Sequence, residues 1–137
     1  MTIETQSFTP PSGVNAGSDV EALHYSDGTL DIVLACSQDD EQTVRGITVK
    51  FFQPAGFRLL DELDLARYWN SADFSRGSHV LEVESGGWSA EEDHFQLFET
   101  MRREWLVATG NACVSVFCSS EPEVTDISWK REVKSLE

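Results

Sequence analysis

The 137-residue sequence predicts an α+β domain built largely of antiparallel sheet. Three observations predict it. Short runs of alternating apolar and polar residues recur along the chain, the period-two mark of half-buried strands. Two of the gaps between such runs are hairpin pairs, Asp27-Gly28 and Gly110-Asn111. Helical spacing is confined to the segments after Asp61 and after Trp88. The expectation is about six to seven strands in hairpin or meander order, with room to curl toward a barrel, and one or two short helices.

Residues 1–19 include FTPPSGVNAGSD, rich in Pro, Gly, Ser and Asn and without periodicity, and read as a flexible N-terminal arm. A single domain then spans 20–130, and 131–137 form a polar C-terminal tail. Within the domain, EALHYS and TLDIVLACS flank Asp27-Gly28, with Leu30, Ile32 and Leu34 on one face and Asp31, Val33 and Ala35 on the other. TVRGITVKFFQ alternates likewise, placing Ile47, Val49 and Phe51 together, and ends at Pro54 and Gly56. GFRLLDELDLARYW starts as a short strand at Phe57 and turns helical after Asp61, where Leu65, Ala66 and Trp69 follow an acidic first turn. HVLEVES is a further strand, stopped by Gly86-Gly87. In WSAEEDHFQLFETM, Ser89 and Glu92 have capping-box spacing and Phe95 and Phe98 would share an inner face. EWLVAT and ACVSVFCS flank Gly110-Asn111, a Gly-first pair suited to a type II′ turn, and EVTDISW is the last strand.

Apolar residues make up 40% of the chain, and four tryptophans and eight phenylalanines suffice for a core. Against 24 acids stand 10 bases, a net charge of −14, and no Lys or Arg precedes Arg45. Such a charge repels phosphate backbones and anionic membranes and attracts basic partners, so neither nucleic acid nor membrane is an expected partner. The N-terminus shows no basic and apolar signal pattern, and the odd set Cys36, Cys113 and Cys118 makes no disulfide framework. A cytoplasmic setting is the plain reading.

No residue is assigned to catalysis, to a cofactor or to a metal. Cys113 and Cys118 are five apart, which on a strand sends them to opposite faces, and they read as structural cysteines. Glu91 and His94 form one Glu-x-x-His pair, where a di-iron bundle needs two; a local contact on a solvated helix face accounts for it better. His24 and His79 sit in strand-like runs outside any catalytic motif. Helix starts explain the acids of Asp61-Glu62 and Glu91-Glu92-Asp93. They do not explain the eight acids that precede Arg45, which have no cation near them in sequence. The candidate partner-binding residues are therefore Asp27, Asp31, Asp39, Asp40 and Glu41, with Glu91, Glu92 and Asp93. Trp88 joins them as an indole that could protrude after Ser85-Gly86-Gly87.

The strand with His24 and Asp27, the runs ITVKFF and GFRLLDELDLARYW, and the segment REWLVATGNACVSVFCSSEPEV together resemble small bacterial single-domain proteins of unknown function, including immunity proteins of polymorphic toxin systems. The resemblance covers roughly residues 21–127. It implies a β-rich α+β domain without catalytic apparatus that inhibits a toxin by covering its active surface. The expected function is thus a non-catalytic acidic binding protein for a basic partner. Two alternatives remain open: a small-ligand domain or enzyme with a pocket lined by Trp69, Trp88 or Trp105 together with His79 or His94, and a DNA mimic.

Overall fold

The computed structural model describes residues 3–9, 14–61, 77–96 and 102–131. Within them the elements run β1 (Glu4–Ser7), β2 (Asp19–Ser26), β3 (Thr29–Gln38), β4 (Thr43–Phe52), β5 (Gly56–Asp61), β6 (Val80–Ser85), α1 (Trp88–Gln96), β7 (Glu104–Ala108), β8 (Ala112–Phe117) and β9 (Glu123–Lys130). The strands form a five-stranded sheet, β1-β6-β7-β8-β5, and a four-stranded sheet, β2-β3-β4-β9. Every pairing is antiparallel. The helix expected at Leu65, Ala66 and Trp69 lies outside the described residues, as do Phe98 and the expected tail beyond Arg131.

The two sheets stack face to face, with alternating apolar side chains meeting between them, and no closed barrel forms among the described residues. Leu30, Ile32 and Leu34 of β3 and Val49 and Phe51 of β4 are fully buried and pack against Val80, Trp105, Val107, Val114 and Val116 of the other sheet. Trp105 anchors the layer, its indole N–H donating to the Cys118 carbonyl at 3.0 Å and its ring lying 6.3 Å from Phe51. The five-stranded sheet is apolar on its second face too, where Leu81, Val83, Leu106, Ala108 and Cys113 gather with Ile3. Cys113 and Cys118 accordingly sit in different clusters, on opposite faces. Two buried faces read in sequence as nearly continuous apolar runs, which is how VSVF and EWLVA look.

The Asp27-Gly28 hairpin forms as expected: φ is 52° at Asp27 and 75° at Gly28, and Ser26 pairs with Thr29. The Gly110-Asn111 hairpin forms with a different turn. Among the described glycines only Gly28 and Gly86 have positive φ, so Gly110 is not the first residue of a type II′ turn. Instead the Thr109 hydroxyl closes the loop, accepting from Ala112 N at 3.0 Å and donating to its carbonyl at 2.7 Å. Gly110 is needed for another reason: a Cβ there would run into the carbonyl oxygens of Asn15 and Ala16.

That contact also corrects the expected arm. Glu4–Ser7 form β1 and pair with β6, and the Phe8 ring meets Trp105 edge-on at 5.2 Å. Ser18 is fully buried, donating to Asn15 O at 2.6 Å and accepting from Gly110 N at 2.9 Å. Asn111 Nδ2 holds the Ser18 carbonyl at 2.9 Å. Polar, Gly-rich composition marks a segment without periodicity; here its polar groups are satisfied by a hairpin more than ninety residues away.

α1 begins at Trp88, and Ser89 is not its cap. The carboxylate of Glu104, buried in β7, accepts from Trp88 N at 3.0 Å and Ser89 N at 2.7 Å. A charged acceptor reaching across space outcompetes the local hydroxyl for the orphan N–H groups. Phe95, expected on the inner face, is 78% exposed.

Candidate functional site

The acidic candidates occupy three separate places. Asp27 is the exposed tip of the β2–β3 hairpin. Asp31 faces outward from β3, 3.8 Å from Lys50 of β4. Asp39, Asp40 and Glu41 form the β3–β4 tip, at the opposite end of the ten-residue β3, about 30 Å away at strand rise. Glu91, Glu92 and Asp93 lie on α1, against the other sheet.

Each place is differently occupied. At the β3–β4 tip the Asp39 carboxylate accepts from Glu41 N at 3.0 Å and Thr43 N at 2.9 Å, so this acid shapes the turn. Lys130 donates to the Glu41 carbonyl at 3.1 Å. Arg131 grips Glu21 through two hydrogen bonds, at 3.1 and 3.2 Å, which hold its guanidinium above the usual range. The expectation that the early acids lack nearby cations is therefore corrected: Lys50, Lys130 and Arg131 arrive from β4 and the end of β9, remote in sequence and adjacent in space. The side chains of Asp40 and Glu41 remain exposed.

On α1 the acids face inward. Glu91 meets Arg58 at 3.3 Å, Glu92 accepts the Trp88 indole N–H at 3.0 Å, and Asp93 holds Arg102 at 2.7 Å. Glu91 thus reaches across to β5 rather than to His94, which is exposed beside Phe95. Trp88 does not protrude. Its ring stacks on Phe117 at 4.0 Å with an 18° interplanar angle, and the Arg58 guanidinium sits 4.8 Å above it.

One concave feature has no counterpart in the sequence expectations. β3 bulges between Ala35 and Ser37. A hollow of about 410 Å³ lies there, lined by Asn15, Cys36, Arg45, Ile47, His79 and Asp126. A second, of about 400 Å³, continues along β4 and β9 and shares Arg45 and Asp126. A third, of about 360 Å³, shares Asn15 and Cys36 and runs to Glu21 and Arg131. The hollows and the Asp39–Glu41 tip share one end of the sandwich. Sequence spacing could not bring these residues together, because a bulge and a loop from the other sheet do so.

His79 is 7% exposed, with Nδ1 2.7 Å from the Ala108 carbonyl. A carbonyl only accepts, so Nδ1 carries a proton, and in the neutral imidazole Nε2 is then the acceptor edge. Burial pushes the Cys36 thiol above its ordinary range; a backbone hydrogen bond at Ile47 opposes this, and Asp126 adds to it. Cys36 is therefore a neutral thiol rather than an activated nucleophile. Among the described residues no group of three or more His, Cys, Asp or Glu side chains could hold a metal ion. Neither Trp88 nor Trp105 lines these hollows, and Trp69 lies outside the described residues. No helix among the described residues is long and apolar enough to cross a membrane.

Comparison with protein-family models, with curated proteins and with solved structures found no match.

Proposed function

We propose that this protein acts by binding, and that it receives a basic protein partner at the end of the sandwich formed by the β3–β4 tip. The observation that carries this reading is the contrast between the acidic places. The α1 carboxylates are engaged with Arg58, Trp88 and Arg102, whereas Asp40 and Glu41 stand exposed beside a concave surface. Charge complementarity there raises encounter rate and specificity. In its sharpest form the protein is an immunity-like inhibitor that covers the cationic surface of a toxin. The spread of the acids over both ends and both sheets argues against a DNA mimic, which needs them in one array.

The test is the association rate with basic toxin domains, presented one at a time as purified proteins. Asp40→Lys with Glu41→Lys should slow association about tenfold at low salt, and the effect should shrink as ionic strength rises. Glu84→Lys, at an exposed position near the end of β6, should change the rate far less. Association indifferent to the tip reversals and to salt would overturn the reading.

A further inference from the structure

Among the described residues the other arginines are well partnered. Arg58, Arg102, Arg103 and Arg131 each hold a carboxylate. Arg45 differs: its side chain has no hydrogen bond or ion pair among the described residues, although it lines two hollows together with the side chain of Asp126, which has none either, both residues being exposed at the rim. In the β4–β9 register Arg45 stands opposite Ser128 and Asp126 opposite Ile47. The two are therefore diagonal neighbours on one face, about 7–8 Å apart at the backbone. In a chain of net charge −14, an arginine and an aspartate that share a hollow without closing on each other leave room for a third group between them.

The rest of the lining supplies further polar groups: the Ser37 hydroxyl, which can donate or accept, Asn15 and His79. The Asn15 Oδ1 atom is taken by Gly17 N at 2.9 Å, which leaves Nδ2 to donate. His79 is more than nine-tenths buried, turns Nδ1 to Ala108 and offers Nε2, which has no hydrogen bond among the described residues. Ile47 and the Cys36 thiol give the hollow an apolar wall. The volume, about 410 Å³, falls in the range of small-molecule sites, roughly 300–1,000 Å³.

We infer that this hollow binds a small zwitterion, the simplest being a free α-amino acid. The ligand's carboxylate accepts from Arg45 and Asn15, its ammonium donates to Asp126 and His79, and its side chain lies along Ile47. A lone anion would satisfy Arg45 and sit against Asp126 with the wrong sign; a lone cation has the converse difficulty. The hollow lies at the same end of the sandwich as the tip proposed for the protein partner, and its ligand is tested without that partner.

Calorimetric titration of the full chain with the common L-amino acids, with propionate and with propylamine tests the assignment. At least one amino acid should bind, and propionate and propylamine should each bind it about tenfold or more weakly. Arg45→Met and Asp126→Asn should each weaken the amino acid by a similar factor, while Glu123→Gln, at the far end of β9, leaves it unchanged. Binding of propionate or propylamine as tight as the best amino acid, or no binding of any amino acid at millimolar concentration, overturns the inference. Both outcomes are read on the wild-type protein, so they stand even where a variant folds poorly.

Discussion

Gly46 shows how one residue type can be dictated by a neighbour the sequence does not reveal. A Cβ there would collide with the Leu34 carbonyl and come within 3.2 Å of the Trp129 ring. Trp129 pairs with Val44 and Ile127 with Gly46, so the indole leans over the glycine and covers Val44, 1% exposed. Gly46→Ala should destabilise the protein by about 1–3 kcal/mol, because backbone rather than a pliable side chain must yield; chemical denaturation measures it. Cys36 makes a prediction of opposite kind, in pH. Its thiol titrates above the ordinary range when folded and within it when unfolded, so the unfolded chain loses this proton first. The contribution is present at neutral pH and lost as pH rises through the thiol range toward the folded value. Between about pH 8 and 10, Cys36→Val should therefore lose stability less steeply than the wild type, checked by denaturation midpoints at a series of pH values.

At the scale of elements, what was legible depended on whether the deciding contact was local. The β2–β3 hairpin was legible because two adjacent residues specify it: Gly28 at φ 75° and Asp27 at φ 52°. Gly28→Ala should cost about 1–2 kcal/mol, the price of a side chain in the left-handed region, while Asp27→Asn should be nearly neutral. Strand faces were legible for the same reason, since Leu30, Ile32 and Leu34 alternate with polar neighbours and end fully buried. The cap of α1 was not legible, because Glu104 lies fifteen residues beyond the Ser89 N–H it accepts. β1 and the 14–18 loop were not legible either, their partners being β6 and the β7–β8 hairpin. The same holds for the hollow: Cys36, Arg45, His79 and Asp126 come from separate strands and a connecting loop, joined by a bulge that leaves no mark in composition. Glu104→Ala should strand two N–H groups at the helix start and cost about 2 kcal/mol. Hydrogen exchange should show the α1 amides opening ahead of the strands; α1 protection equal to wild type would mean that Glu104 does not hold the helix.

For the molecule as a whole, the balance lies between short ion pairs and long-range repulsion. The paired cations sit close to their carboxylates, as at Arg102–Asp93, 2.7 Å, and Arg103–Glu82, 2.7 Å. Partly buried pairs of this sort contribute little, about 0–1 kcal/mol each, and, being close and partly buried, they are screened less than charges farther apart than a Debye length. The uncompensated acids add up over the whole surface to a net −14, and their repulsion acts at distances that salt screens well. Raising chloride from about 0.01 M to about 0.3 M shortens the Debye length from about 30 Å to below 10 Å. Repulsion should therefore lose more than the pairs do, and Tm should rise by about 3–5 °C, equivalent to about 1 kcal/mol in a domain of this size. A flat or falling Tm would show the short pairs to dominate. A basic partner docked at the β3–β4 tip does locally what salt does globally, because it removes the mutual repulsion of acids that the fold leaves exposed. Its stabilising effect should accordingly be largest at low salt, where the free protein is weakest, and differential scanning calorimetry of the complex across the same salt series measures that convergence.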